Sequence, residues 1–207
     1  MIVEKKYYNK GWFGKHPEIY DKTDFFMKYL RGAAAKRLEL KPHQKIIDIA
    51  TGTGAQGYEF AKLGHLVVGI DLDINMLGQA EKKTNNLNLS LIHANAVDLP
   101  TESQLFDVAV ISFAMHDVPY EIGLRILAEA KRVIKYDGII YIIEHGDPNQ
   151  FITARILFQV SLLFETPNYK LFFKRSLEEY FEETKLEIIT KEHLVFGAVR
   201  LVTLKQF

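Results

Sequence analysis

Cysteine is absent from all 207 residues, which removes structural disulfides, thiolate zinc sites and cysteine nucleophiles at once. Net charge is absent too: Lys+Arg and Asp+Glu both total 26, so no global basic field is available to hold a nucleic-acid backbone. Long hydrophobic runs are missing. The greasiest stretch, ILFQVSLLF at 156–164, falls far short of the roughly 20 residues a spanning helix needs, and the opening MIVEKKYYNKGW lacks the apolar centre of a secretion signal. Repeats, low-complexity tracts and Pro/Gly/Ser-rich linkers are lacking as well. These absences predict a single cytoplasmic domain over 1–207. Its 48% hydrophobic and 25% charged residues are the proportions of a chain that buries its own core.

Charge is balanced only globally. Residues 1–45 hold eleven Lys/Arg against five Asp/Glu, a net of +6 that leaves −6 on the remainder. Residues 1–44 therefore read as a basic helical cap, either a solvated helix face or a contact for an anionic lipid surface. From Asp24 to Leu40 the residues Phe25, Phe26, Tyr29, Leu30, Ala33, Ala34 and Leu38 recur at helical spacing, with Lys28, Arg31, Lys36 and Arg37 between them. That spacing predicts an amphipathic helix.

Strand-like and helical stretches then alternate: KIIDIA at 45–50, a helix through Ala61, HLVVGID at 65–71, a helix from Ile74 to Lys83, LSLIHA at 89–94, FDVAVISF at 106–113, a helix over 120–134 and GIIYIIEH at 138–145. Five Ile/Val/Leu-rich strands separated by helices predict a parallel sheet wrapped in helices. Residues 146–175 break the rhythm with a Phe- and Leu-rich segment, predicted to be a helical lid or insertion. A helix at 176–184 and two strands, LEIITKEHLV and AVRLVTL, about Gly197 predict an antiparallel end. The expected fold is α/β: a doubly wound seven-stranded sheet, mostly parallel with an antiparallel C-terminal strand, flanked by helices.

Gly52-Thr53-Gly54-Ala55-Gln56-Gly57 matches G-x-G-x-x-G between a strand and a helix, where glycines permit a tight turn and close backbone approach to a nucleotide-type ligand. Some twenty residues on, Asp71 ends the second strand, where a carboxylate accepts both hydroxyls of a ribose. Asp48, four residues before the first glycine, occupies a place that dinucleotide folds keep apolar to meet pyrophosphate. Its charge disfavours phosphate and suits an ammonium or sulfonium group, which points to S-adenosylmethionine.

On these residues the chain resembles the class I S-adenosylmethionine-dependent methyltransferases, with their Rossmann-like sheet, from about residue 40 to 145. IIDIATGTG at 46–54 resembles the family's first motif and GIDLDINML at 69–77 its second. The resemblance implies cofactor contacts from Asp48, Ala50, Thr51, Gly52, Thr53 and Gly54, from Asp71, Leu72 and Met76, and from Ser112 and Phe113 at the end of the fourth strand. HANAVDLP at 93–100 resembles the adenine-binding loop, with Asn95 in place of the usual aspartate; Asn95, Ala96 and Val97 are its expected contacts, weakened or re-registered by the amide. FDVAVISFAMHDVP, EAKRVIKYDGIIYIIEH and HLVFGAVRLVTL resemble the ubiquinone/menaquinone and phospholipid N-methyltransferase branch. Tyr136-Asp137-Gly138 stands there for a Pro-Gly-Gly turn. Tyr20-Asp21 resembles that branch's N-terminal segment, so Tyr20 is either a cover for the cofactor or an anchor packing the cap.

Methyl transfer is an in-line displacement at an activated carbon, and a base is needed only where the acceptor loses a proton. His116 and His145 follow the carboxyl ends of the fourth and fifth strands, the edge at which open α/β sheets bind ligands, and are the candidate catalytic groups. Asp117 adjoins the first, and Glu144 is a candidate for orienting. No metal-ligand spacing stands out, so no metal is expected. The branch and the apolar insertion lean towards a small hydrophobic or lipidic acceptor, with the basic cap touching an anionic membrane. Nucleic acid is disfavoured, because SFAMHDVP replaces the Asn/Asp-Pro-Pro-aromatic tetrad of nucleic-acid amine methylation. Two alternatives stay open: a non-catalytic cofactor-binding module, and an NAD-binding oxidoreductase using the Tyr58/Lys62 pair, although that pair follows the glycine loop directly and stands in the wrong place for hydride chemistry.

Overall fold

The computed structural model describes residues 15–16, 25–84 and 87–207. Tyr20 and half of the basic cap lie outside the described residues.

Seven strands form one sheet in the order β3-β2-β1-β4-β5-β7-β6: β1 Lys45–Ile49, β2 Leu66–Asp71, β3 Leu89–His93, β4 Phe106–Ser112, β5 Ile134–His145, β6 Leu186–Leu194 and β7 Val199–Gln206. Strands β1 to β5 run parallel to their neighbours, and β7 is antiparallel to both β5 and β6. The expected mostly parallel sheet with an antiparallel end is what the chain forms. Its winding reverses between β1 and β4, so the loops leaving those two central strands diverge and leave a crevice at their carboxyl ends.

Alternation along the strands sorts the core into two layers. Ile46, Val67, Val108, Val110, Tyr141, Ile143, Val199 and Leu201 face one side, where they meet Leu30 and Ala34 of α1 (Phe25–Arg37) and Phe60 of α2 (Ala55–Lys62). Ile47, Ile49, Ala109, Ile111, Ile140, Ile142, Val202 and Leu204 face the other. There they meet Ile126 and Leu127 of α4 (Tyr120–Val133), and Tyr180 and Phe181 of α7 (Leu177–Thr184). Between β2 and β3 lies α3 (Ile74–Glu81), capped by Asp73, whose side chain accepts the Asn75 N–H at 2.9 Å. A reciprocal Ser176/Glu179 capping box starts α7, which satisfies N–H groups that a helix start otherwise leaves open.

Two local expectations change. In α1, Tyr29 is 83% exposed while Arg31 is only 4% exposed, so the buried face is rotated from the one its apolar residues suggest. Tertiary partners outweigh periodicity here: Arg31 donates from Nη1 to Ser112 Oγ at 3.2 Å, and its backbone carbonyl accepts from Gln56 Nε2 at 3.3 Å. The turn expected at Tyr136-Asp137-Gly138 is instead a wide bulge inside β5, because Phe106 pairs with Ile134 and Val108 with Ile139. The strand therefore begins at the end of α4 rather than at Gly138.

Residues 146–175 contain helices α5 (Ile152–Ser161) and α6 (Pro167–Phe172). The insertion leaves the sheet through a glycine–glycine crossing. A Cβ on Gly146 would stand 1.7 Å from the Gly197 carbonyl oxygen, and one on Gly197 2.1 Å from the Phe151 ring. Backbone, unlike the far end of a flexible side chain, cannot step aside. Gly146→Ala is therefore expected to lose about 3 kcal/mol in denaturant unfolding. Gly78→Ala, inside α3 with nothing within 4 Å of the new methyl, is expected to gain up to about 1 kcal/mol.

Candidate functional site

The crevice outside β1, β2 and β4 is built around two carboxylates. Asp48 lies within β1 and is 1% exposed. Its Oδ2 accepts from Thr51 Oγ1 at 2.5 Å and from the Gly57 N–H at 2.9 Å, while buried Oδ1 has no hydrogen-bond partner. Burial pushes its pKa up to about 6 against the opposing bonds from Thr51 and Gly57. Asp71, at the end of β2, accepts the Gly52 N–H on Oδ2 at 2.7 Å and the Asp73 N–H on Oδ1 at 2.8 Å. Both carboxylates thus hold the glycine loop before any ligand arrives.

The loop's backbone explains its glycines. Gly52 and Gly54 have φ of +57° and +71°, and a Cβ on Gly52 would meet nothing within 4 Å. Gly57 is needed for a different reason: its Cβ would stand 3.0 Å from Asp48 Oδ2. Ala50 takes a left-handed φ of +57° without being glycine. Thr51 and Thr53 are buried beneath the turn, and the Thr53 carbonyl accepts from Lys83 Nζ at 3.0 Å.

The remaining expected contacts line the same edge. Leu72 follows Asp71, and its carbonyl meets His93 Nε2 at 2.8 Å; Met76 is half-buried on α3. Asn95 closes its own loop, Oδ1 accepting the Val97 N–H at 3.2 Å, and the side chains of Ala96 and Val97 enter the core. The departure from aspartate therefore leaves an ordered turn in place. Ser112 and Phe113 end β4, where Phe113 takes a left-handed φ of +51° and its ring lies 5.4 Å from the Arg31 guanidinium carbon and 5.1 Å from the His145 ring. Arg31 was not anticipated as part of this site, and nothing in its spacing distinguishes it from the other bases of α1.

Beyond β4 the site becomes a cluster of ionisable groups walled by aromatic rings. A short 3-10 turn, Met115–Asp117, presents His116, which is buried. His116 Nδ1 lies 2.7 Å from Oε1 of Glu144, itself fully buried in β5, and the same oxygen accepts the His145 N–H at 2.8 Å. Glu144 thus contacts the His116 ring and the His145 backbone. Burial opposes protonation of His116, but the Glu144 and Asp117 carboxylates outweigh it and raise its pKa well above 6.5. For Glu144 the balance is reversed: burial works against the charged form, yet His116 draws its pKa down to about 2. Burial, reinforced by the charge on His116, lowers His145 to about 4.

The insertion closes over these histidines. The Tyr169 ring on α6 stands edge-on to His116 and to His145, each at 5.2 Å, and stacks on Phe158 of α5 at 5.5 Å. Asn168 Nδ2 donates to the Asp117 carbonyl at 2.9 Å and ties α6 to the turn. Glu165, between α5 and α6, brings Oε2 to 3.6 Å from His116 Nε2. Its only trace in the sequence is that it ends a stretch, 148–164, containing no other acid. Tyr58 and Lys62 sit elsewhere on α2, with Lys62 Nζ paired to Glu59 at 3.2 Å and 5.3 Å from the Tyr58 ring, away from this edge.

Comparison with known proteins agrees with this layout. A methyltransferase domain family matches residues 46–138. The chain is 31% identical over 173 residues to a demethylmenaquinone methyltransferase of Bacillus licheniformis, covering 81% of this chain and 68% of that protein. It is 37% identical over 119 residues to one of Corynebacterium kroppenstedtii, covering 57% of this chain and about half, 49%, of that protein. In fold, a SAM-dependent methyltransferase of Thermotoga maritima superposes with a TM-score of 0.70 at 18% identity, covering 95% of this chain and 99% of its own. A TehB-like SAM-dependent methyltransferase of Corynebacterium glutamicum gives 0.66 at 16%, covering 93% and 99%. The chain belongs to the class I S-adenosylmethionine-dependent methyltransferases, in the branch that contains the demethylmenaquinone enzymes.

Proposed function

We propose that this protein methylates a small hydrophobic acceptor of quinone type, using S-adenosylmethionine. One observation carries the reading: a buried imidazole–carboxylate pair, His116 with Glu144 at 2.7 Å, stands under an aromatic lid on the same sheet edge as the glycine loop. Bound S-adenosylmethionine supplies a methyl group already activated by its sulfonium. The chain's residues fit that ligand. Gly52 leaves open space where a side chain would stand, and Asp48 keeps a buried, unpartnered oxygen whose charge suits an ammonium or sulfonium. Asp71 is assigned to the ribose hydroxyls. Leu72, Met76, Asn95, Ala96 and Val97 are assigned to the adenine side, Ala50, Thr51, Thr53 and Gly54 to the loop wall, and Ser112 and Phe113 to the floor. Tyr20 is assigned as a cover from outside the described residues.

His116 and the acceptor hydroxyl share one proton, and Glu144 biases it towards the imidazole. The oxygen left behind is anionic and pushes electron density onto the ring carbon that takes the methyl group. The methylated ring carbon then gives up its hydrogen as a proton, which restores the aromatic ring, while the His116 imidazolium returns its proton to the oxygen; one proton is released to solvent per turnover. His145, kept neutral by burial, and Tyr169 wall the acceptor and exclude water. The ordered turn at Asn95 supports turnover over the non-catalytic alternative, and the pairing of Lys62 with Glu59 speaks against a hydride site.

The acceptor's route follows from the outer face of the lid. Ile152, Ile156, Val160 and Leu163 are exposed at helical spacing along α5 and the turn after it, with Arg155 as the one charge between residues 148 and 164. This stripe, with the basic cap, is assigned to reversible contact of a cytoplasmic protein with an anionic bilayer. Among the described residues no helix is long and apolar enough to cross a membrane.

Calorimetric titration should show saturable S-adenosylhomocysteine binding and none of NADH; the reverse would sink the cofactor assignment. His116→Ala should lower turnover with a demethylated quinol at least about a hundredfold while leaving S-adenosylhomocysteine affinity within about twofold; full activity in that variant removes the base. Asp48 has a folded pKa of about 6, above its ordinary 3.8, so the folded state holds its proton more tightly and stability falls as pH rises through that window. Asp48→Asn should therefore raise the melting temperature of the ligand-free protein at pH 7, by at most about 3 kcal/mol of stability, while weakening cofactor binding about tenfold. Vesicles containing phosphatidylglycerol should carry the protein in flotation, and Ile156→Glu with Leu163→Glu should abolish this; unchanged flotation of the double variant removes the lipid face.

A further inference from the structure

His116, His145 and Glu165 come from three separate segments: the turn after β4, the end of β5 and the link between α5 and α6. Each offers one ligand atom, and the three atoms lie within 4.8 Å of one another. Tetrahedral zinc sites hold N and O ligands about 2.0–2.2 Å from the ion, which sets ligands roughly 3.3–3.5 Å apart. The His116 Nε2 to Glu165 Oε2 distance of 3.6 Å already meets that spacing, and Asp117 Oδ2 stands 3.8 Å from the same nitrogen.

Three further features prepare the cluster for a cation. Glu144 holds His116 by Nδ1, so Nε2 is turned towards Glu165 and Asp117. A carboxylate behind an imidazole in this way fixes the tautomer and ring orientation of metal-binding histidines. Buried His145 Nδ1, Asp117 Oδ1 and Glu144 Oε2 have no hydrogen-bond partner, and unsatisfied polar atoms gathered in one place are stabilised by an ion that accepts their lone pairs. Finally, Tyr169 and Phe172 form an apolar shell around His116, which limits competition from water.

We propose that His116, His145 and Glu165, with Asp117 as a fourth ligand, form a site for a divalent transition-metal ion of the zinc class, and that occupation of the site blocks methyl transfer by taking the lone pair of His116. Two imidazoles with carboxylates favour Zn²⁺ or Co²⁺ over the oxygen-seeking Mg²⁺. The site itself is independent of the proposed reaction; only the blocking clause rests on it.

The test is calorimetric titration of chelator-treated full-length protein with ZnCl₂ in the absence of cofactor and acceptor. One site of micromolar or tighter affinity is expected, with no heat from MgCl₂ and a visible absorption band on addition of CoCl₂. Glu165→Gln, a near-isosteric change at a partly buried position, and His145→Ala should each weaken zinc at least tenfold, with circular dichroism confirming that both fold. Absence of binding, equal binding of Mg²⁺, or full zinc affinity in folded Glu165→Gln overturns the site. Where turnover is measured, one equivalent of Zn²⁺ should abolish it and chelator should restore it; undiminished turnover of the zinc-loaded protein overturns the blocking clause and leaves the site standing.

Discussion

A carboxylate buried inside the first strand of a parallel sheet governs this molecule's cofactor edge. Asp48 is surrounded by Ile47 and Ile49 in a strand whose residues beyond Lys45 are all buried, an environment that penalises charge heavily. Its compensation comes from the turn it anchors: the Thr51 hydroxyl and the Gly57 amide both donate to it. The shape of the loop and the tolerability of the carboxylate are one interaction seen from two sides. Asp71 repeats the device one strand over, gripping the Gly52 amide, so the glycine turn is clamped at both shoulders. The cofactor cleft is stiff because the groups that would touch a ligand are already bonded to one another.

The acceptor side uses the same physics with a different answer. Glu144 is as deeply buried as Asp48, but its compensation comes chiefly from an imidazole, with the His145 backbone amide beside it. Backbone amides cannot move a proton; an imidazole can. The two buried carboxylates consequently divide the work, one fixing a loop and the other tuning a titratable ring. The pKa of Asp48 rises to about 6 while that of Glu144 falls to about 2, although burial pushes both upwards. The difference lies in the charge on the partner.

The legible part of the molecule is the part encoded by neighbours in sequence. Strand spans followed from apolar runs, and the parallel order followed from helices between them. That Asp48, Gly52, Gly54 and Asp71 come together at one sheet edge was readable because they lie within a single strand–turn–helix–strand unit. Arg31, Glu165 and Tyr169 were not readable as site residues, since each reaches the edge from an element far along the chain. Arg31 shows the reason plainly: helical periodicity reports the average face, whereas the side chain is placed by Ser112 and Phe113, more than eighty residues away. The bulge at Tyr136-Asp137-Gly138 escaped for the converse reason. Turn-like composition signals a break in pairing but does not say whether the strand resumes on the far side.

Helix α5 joins the two halves of the functional question because its faces differ in kind. Phe158 looks inward onto Tyr169, which packs on both histidines, while Ile152, Ile156 and Val160 look outward. A helix required only to cover a core would carry a polar outer face; this one sets Ile152, Ile156 and Val160 beside the exposed Arg155 and Gln159. Exposed aliphatic side chains in a contiguous stripe are costly in water and are offset only by a surface that covers them. Phe158, on the inner face of α5, stacks on Tyr169, whose ring meets His116 edge-on, so on the proposed function the acceptor would pass from lipid to base across this one helix. On the proposed function the composition of the insertion and the chemistry of a hydrophobic acceptor impose the same requirement, whereas a polar acceptor would leave the outer face of α5 without a role.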